Sequence, residues 1–266
     1  MTTSSSLGRA LVTGASTGIG AVYADRLARR GYDLILVARN AERLGQLAQK
    51  LSRETGRSVT PVVADLTDRA DLARVEAILK TDASITMLVN NAGVGSVASI
   101  LQADVEAMDG MLALNVTALT RLTYAAAPAF VARGAGTIVN IASVVGVAVE
   151  LLNGVYGASK AYVLAFGHSL QRDLADKGVR IQTVMPGATA TEFWDVAGYA
   201  PQKESPITMS AAHLVDAALA ALDAGELVTI PGLHDEAAWM QWEADRRALT
   251  PRFANATPAP RYGVPA

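Results

Sequence analysis

No cysteine occurs in the 266 residues, which excludes disulfides, thiolate metal sites and a cysteine nucleophile. The three histidines, His168, His213 and His234, lack ligand spacing, so no metal site is expected. There is no Gly-x-Ser-x-Gly elbow on which to build a serine hydrolase. Positive charge is not concentrated: the net charge is −2, and no Lys/Arg cluster would hold a nucleic acid or a membrane surface. No apolar run reaches the roughly 18 residues of a membrane span. Residues 1–6 are polar and lack the apolar stretch of a signal peptide, so a cytoplasmic location is expected. Nor is there a Gly/Ser-rich or Pro-rich linker or a fixed-period repeat, so residues 1–266 are expected to form a single domain.

What is present suits a large soluble core. Hydrophobic residues make up 51% and charged residues 18%, a globular balance. Short apolar runs at 9–13, 34–37, 59–63, 85–90, 137–141, 179–184 and 227–230 read as buried strands. Between them lie helical patterns at about 19–30, 41–54, 68–80, 105–133, 156–176 and 210–222. Apolar strands alternating with helices imply an α/β fold: a single Rossmann-type, doubly wound parallel sheet of about seven strands with helices on both faces. Residues 7–231 would form this core. Residues 232–266 would add a helix near 235–247, on the spacing of Trp239, Trp242 and Leu249, and then an irregular tail.

The first strand runs into Gly14-Ala-Ser-Thr-Gly18-Ile-Gly20 and then a helix. A glycine turn in that position lets backbone N–H groups approach a pyrophosphate, and the helix N-terminus adds favourable partial charge. Strand 2 ends in Val37-Ala38-Arg39-Asn40, without the carboxylate that would bind the ribose 2′-hydroxyl of NAD. An arginine suits a 2′-phosphate, so NADP(H) is favoured over NAD(H). Asp65 and Leu66 close strand 3, where Asp65 would accept from an adenine amino group or cap the following turn. Asn115 is a polar residue on a helix whose other repeating positions are apolar, so its amide needs partners. Tyr156 and Lys160 stand four apart on one helix face, where the ammonium would lower the phenol's pKa and fit it for proton exchange.

Thr13 to Gly20, Asn90-Asn-Ala-Gly93, Asn115, Ser143, Tyr156-x-x-x-Lys160, Pro186-Gly187 and Thr191 stand in the order and spacing of the short-chain dehydrogenase/reductase family, classical type, which the chain resembles over residues 7–231. The resemblance implies that Tyr156 is the general acid/base and that Lys160 lowers its pKa and holds the nicotinamide ribose. Ser143 would bind the substrate oxygen, and Asn115 would hold a relay water. Gly14, Ser16, Thr17, Gly18, Ile19 and Gly20 would line the pyrophosphate. Arg39, Asn40, Asp65, Leu66, Asn91, Ala92 and Gly93 would line the adenosine end. Pro186, Gly187, Thr189 and Thr191 would lie at the carboxamide and phosphate. Ser143, Val145, Leu151, Tyr156 and Trp194 are the expected substrate contacts, with residues 192–205 as a lid.

The expected reaction is hydride transfer between NADP(H) and a fairly hydrophobic carbonyl or alcohol, in a homodimer or homotetramer built through the two long helices. A non-catalytic NADP(H)-binding redox sensor and an epimerase or dehydratase on the same scaffold are the alternatives.

Overall fold

Runs such as Leu34-Ile-Leu-Val37 are apolar on consecutive positions, which suits strands covered on both faces rather than on one. A computed structural model describes residues 7–264, so the expectation for residues 1–6 lies outside the described residues. In chain order the elements are β1 (Arg9–Thr13), α1 (Gly18–Arg29), β2 (Asp33–Ala38), α2 (Ala41–Thr55), β3 (Val59–Val63), α3 (Arg69–Thr81) and β4 (Ile85–Asn90). There follow α4 (Val105–Leu112), α5 (Leu119–Arg133), β5 (Gly136–Ile141), α6 (Gly154–Leu174), β6 (Val179–Val184) and β7 (Thr189–Ala190). The rest are α7 (Phe193–Ala197), β8 (Met209–Ser210), α8 (Ala211–Ala224), β9 (Val228–Thr229) and α9 (Glu236–Leu249).

Seven strands form one parallel sheet in the order β3-β2-β1-β4-β5-β6-β9, the doubly wound fold that the alternation predicts. The winding reverses between β1 and β4, and open sheets of this kind bind ligands at the carboxyl ends of the strands beside such a reversal. Helices cover both faces. One layer of core packs α1, α2 and α8 on the sheet through Tyr23, Leu27, Leu44, Leu214 and Leu219. The other packs α3, α5 and α6 through Leu72, Val75, Leu122, Phe130 and Leu170.

Two departures from the sequence reading bear on the site. The stretch expected as one helix from 105 to 133 is interrupted by a π-helical segment, Ala113–Ala118, which contains Asn115. The Asn115 amide is tied to the backbone of Val94, and a wider turn suits a residue drawn out of the helical repeat. The helix carrying Tyr156 starts at Gly154 because Asn153 caps it, accepting from the N–H of Val155 at 2.9 Å and of Tyr156 at 3.4 Å.

The chain divides into two compact units, with the sheet in the first and residues from Gly232 onward in the second. In the second unit α9 begins at the cap Asp235, stacks Trp239 on Trp242 with ring centroids 4.7 Å apart, and pairs Glu243 with Arg246 and Arg247. No helix among the described residues is long and apolar enough to cross a membrane.

Candidate active site

The glycine turn leaves room only for backbone. Gly14 has a φ of +64°, and a β-carbon there would lie 2.8 Å from Asn91 Nδ2 and 2.9 Å from Ala92 Cα. At Gly20 it would overlap the Gly14 carbonyl and the same Asn91 amide. Thr13, at the end of β1, ties the two loops of this cradle together. Its hydroxyl accepts from the N–H groups of Asn91 and Ala92, both at 3.0 Å, and donates to Val89 O at 3.3 Å. Asn91 then donates its side-chain amide to the carbonyls of Thr13 and Gly14 at 2.9 and 3.1 Å.

Helix α1 opens onto this cradle, and the Thr17 side chain makes no capping hydrogen bond to it. By contrast α2, α3, α4, α6 and α8 are each capped by a side chain. The first N–H groups of α1, among Gly18, Ile19 and Gly20, thus face the carboxyl edge of the sheet without a side-chain acceptor, and Ser16 and Thr17 lead into them. This end fits an anionic diphosphate.

Beside it, Arg39 follows β2 and is 71% exposed on its side chain, with Nη1 3.9 Å from Asp65 Oδ2. The other Asp65 oxygen caps its own turn, accepting from Thr67 N at 2.9 Å and Thr67 Oγ1 at 2.7 Å. These bonds hold the carboxyl below its ordinary pKa. Leu66 is buried in the core layer beneath. The Asn40 side chain caps α2 by accepting from Arg43 N at 2.9 Å.

Ser143, Tyr156 and Lys160 come together at the ends of β5 and α6, and all three are buried. Ser143 Oγ donates to Pro186 O at 3.3 Å and accepts from Val145 N at 3.3 Å. The Lys160 ammonium donates to Ile141 O at 2.9 Å and lies 5.8 Å from the centroid of the Tyr156 ring.

The acidified phenol expected from the spacing is not what this arrangement produces. Burial pushes Tyr156 up to about 12, only partly opposed by its hydrogen bond with Ser143. Burial also lowers Lys160 to about 8, because taking the ammonium out of water outweighs the single carbonyl it meets. The phenol is therefore protonated at neutral pH.

Asn115 joins the group from the π segment. Its Oδ1 accepts from Val94 N at 3.0 Å, and its Nδ2 donates to Val94 O at 2.8 Å and Ser159 Oγ at 3.1 Å. The partners that a buried amide needs are thus supplied in part by a neighbouring backbone. Gly93 passes between the two side chains: a β-carbon there would lie 3.1 Å from Asn115 Oδ1 and 3.5 Å from Lys160 Nζ.

Around the phenol the lining is apolar. Met111, Val145 and Tyr156 form a buried cluster against which Val94, Leu152 and Phe193 pack. Leu151 is exposed, and its neighbour Leu152 takes the inward place. Trp194 is buried, with its indole N–H donating to Thr189 O at 2.9 Å and its ring edge-on to Phe193. The ring facing Tyr156 is that of Phe193. Pro186 and Gly187 lead from β6 past Ser143, Thr189 Oγ1 donates to Gly187 O, and Thr191 Oγ1 accepts from Phe193 N.

Sequence reasoning did not single out Asn153, Ser159 or Arg43. Asn153, directly before a helix, carries the usual N-cap signature. Ser159 lies within the Tyr-to-Lys stretch and donates to Tyr156 O at 2.7 Å, which fixes it between Tyr156 and Asn115. Arg43 Nη1 meets Glu192 Oε2 at 2.7 Å across 149 positions, a partner no local pattern reveals.

A glycine cradle at the sheet reversal and a Ser/Tyr/Lys/Asn group at the same edge define an oxidoreductase class, and the chain belongs to it: residues 9–199 match the family model for short chain dehydrogenases. Among solved structures, a short-chain dehydrogenase from Sphingobium yanoikuyae in complex with NADPH is 48% identical, spans 96% of this chain and 100% of its own, and superposes with a TM-score of 0.94. The bulky-bulky ketone specific alcohol dehydrogenase from Comamonas testosteroni is 43% identical over 97% of this chain and 99% of its own, with a TM-score of 0.90. Sulfoacetaldehyde reductase 2 of Chromohalobacter salexigens is 38% identical over 187 residues, 69% of this chain and 73% of its own.

Proposed function

We propose that this oxidoreductase uses NADP(H) to interconvert a hydrophobic ketone or aldehyde and its alcohol. The observation that carries the reading is a buried, protonated Tyr156 beside the Ser143 hydroxyl, set in an apolar cluster at the edge that also holds the glycine cradle. The two relatives whose names include NADPH and a bulky ketone support the choice of cofactor and substrate class.

The cradle at Gly14 and Gly20 and the N-terminus of α1 would hold the diphosphate, and Arg39 the 2′-phosphate. When bound, the dihydronicotinamide supplies a hydride that no side chain can. The protein orients and protonates. Ser143 and Tyr156 fix the carbonyl oxygen, and the phenol donates its proton as negative charge develops there. A phenol held near 12 is in the donor form throughout the neutral range, which suits the reducing direction. Lys160 keeps a positive charge behind the ring, and Asn115, through Ser159, holds the helix turn between them. Val145, Leu152 and Phe193 would meet the ketone's substituents.

A second copy of the chain would pack on α5 and α6. Tyr124 is exposed there and stacks on Phe166, which in turn stacks on Tyr162, an aromatic strip suited to a homodimer or homotetramer. Light scattering on the purified chain reads the assembly directly.

The test of activity is loss of NADPH absorbance with a panel of aryl and alkyl ketones. Turnover is expected in the wild type and a fall of about 100-fold or more in Tyr156→Phe, with NADPH affinity held. Full activity in that variant would remove the assignment.

A further inference from the structure

Two guanidinium groups stand at the corner where β2 gives way to α2, and each faces a carboxylate from a different part of the chain. Arg39 has Asp65, 3.9 Å away at the end of β3. Arg43, in the first turn of α2, has Glu192 at 2.7 Å. The two carboxylates are not equivalent. Asp65 is fixed by two hydrogen bonds from Thr67 and by its place after a sheet strand. Glu192 is the residue directly before α7, at the head of the segment that carries Phe193 and Trp194 over the site.

Its neighbour Thr191 lies against the glycine turn, so close that a β-carbon on Gly18 would be 3.1 Å from Thr191 Cγ2. From there the Glu192 carboxylate reaches to α2. The pair thus connects the start of the lid with the corner expected to take the 2′-phosphate. Both partners are half exposed, so the pair is of the kind that solvent weakens readily.

A phosphomonoester carries a charge near −2 and offers three acceptor oxygens, a better match for a guanidinium than one exposed carboxylate. A carboxylate left beside it would be repelled.

We propose that Glu192 is a placeholder for the cofactor's 2′-phosphate: it occupies Arg43 in the free protein, and a 2′-phosphorylated dinucleotide takes the guanidinium and sets the head of the lid free. This rests on the NADP(H) reading above and adds that selectivity for the phosphate is coupled to the lid through one ion pair. Glu192 then acts against NADPH and is neutral toward NADH.

The experiment is a fluorescence titration of NADPH and of NADH against the wild type, Glu192→Gln, Arg43→Met and the double variant. Circular dichroism melts verify that all four fold. In Glu192→Gln the NADPH dissociation constant falls about two- to fivefold while that of NADH is unchanged. In Arg43→Met, NADPH binding weakens about tenfold or more, and adding Glu192→Gln then changes nothing. If Glu192→Gln weakens NADPH, leaves it unchanged, shifts NADH equally, or still acts without Arg43, the placeholder role is wrong. If the wild type binds NADPH no better than NADH, the cofactor reading itself fails, and the placeholder with it.

Discussion

The rings of Tyr156 and Phe193 stand with their centroids 5.6 Å apart at 44°, so the residue proposed to donate the proton shares a wall with the first residue of α7. Gly95 makes this possible. A β-carbon at position 95 would overlap the far edge of the Phe193 ring and lie 3.3 Å from Tyr156 Cε2.

Gly95→Ala should therefore displace the Phe193 ring without unfolding the protein, since the end of an aromatic side chain can swing aside. The expected result is a change of about tenfold or more in kcat/KM that differs between small and bulky ketones, because one methyl group in an apolar pocket has about that leverage. Steady-state kinetics on a graded ketone series test this. A uniform loss across the series would mean that Phe193 does not face the substrate.

Lys160 gives a prediction about pH. Its pKa is about 8 in the fold against 10.5 when free, so the folded state bears the cost of a buried charge at all pH values below about 8. That cost is about 3 kcal/mol and is relieved as pH rises from 8 to 10.5, where the unfolded chain holds the proton and the folded chain does not. Lys160→Met has no such titration. Its melting temperature relative to the wild type should be highest near pH 7 and should fall steadily from pH 8 to 10. Tyr156, raised rather than lowered, acts in the opposite sense from about pH 10 upward, and because both proteins carry it, it largely cancels in the comparison. Parallel melting curves across the range would contradict the assignment.

Thr13→Val keeps the shape of the side chain and removes the acceptor for two backbone N–H groups, those of Asn91 and Ala92. Leaving them unpaired should cost about 2 kcal/mol in urea unfolding and loosen the cradle. Weaker dinucleotide binding should accompany the loss of stability.

Arg39→Ala should weaken NADPH binding about tenfold and leave NADH within twofold, read by the same titration. Equal effects on both cofactors would move the 2′-phosphate away from this corner.

The central strands were legible because a strand inside a parallel sheet is covered on both faces and reads as a continuous apolar run, as in Leu34 to Val37. Asn115 stood out as an amide among apolar helical positions, and its pairing with Val94 explains it. The direction of the Tyr156 shift was not legible. Spacing puts Lys160 one turn away but does not say that its ammonium turns toward Ile141 O, or that burial dominates both groups. Leu151 and Leu152 are chemically alike, and only the short helical turn before Asn153 decides which of them faces inward. The meeting of Arg43 with Glu192 belongs to tertiary structure alone.

The π segment at Ala113–Ala118 has a mechanical corollary. An α-helix transmits rotation because every turn repeats the last, whereas a wider coil breaks that repeat and sets the two flanking pieces in different phase. Met111 on one piece and Leu122 on the other can each meet its own surroundings, the apolar cluster at the phenol and the sheet core respectively. Removing a single residue from 113–118 would close the wide turn into the regular coil, leaving α4 and α5 with their present faces but taking away the turn that holds Asn115 on Val94. Chain length in this segment therefore decides whether the Asn115 amide reaches the loop after β4 at all.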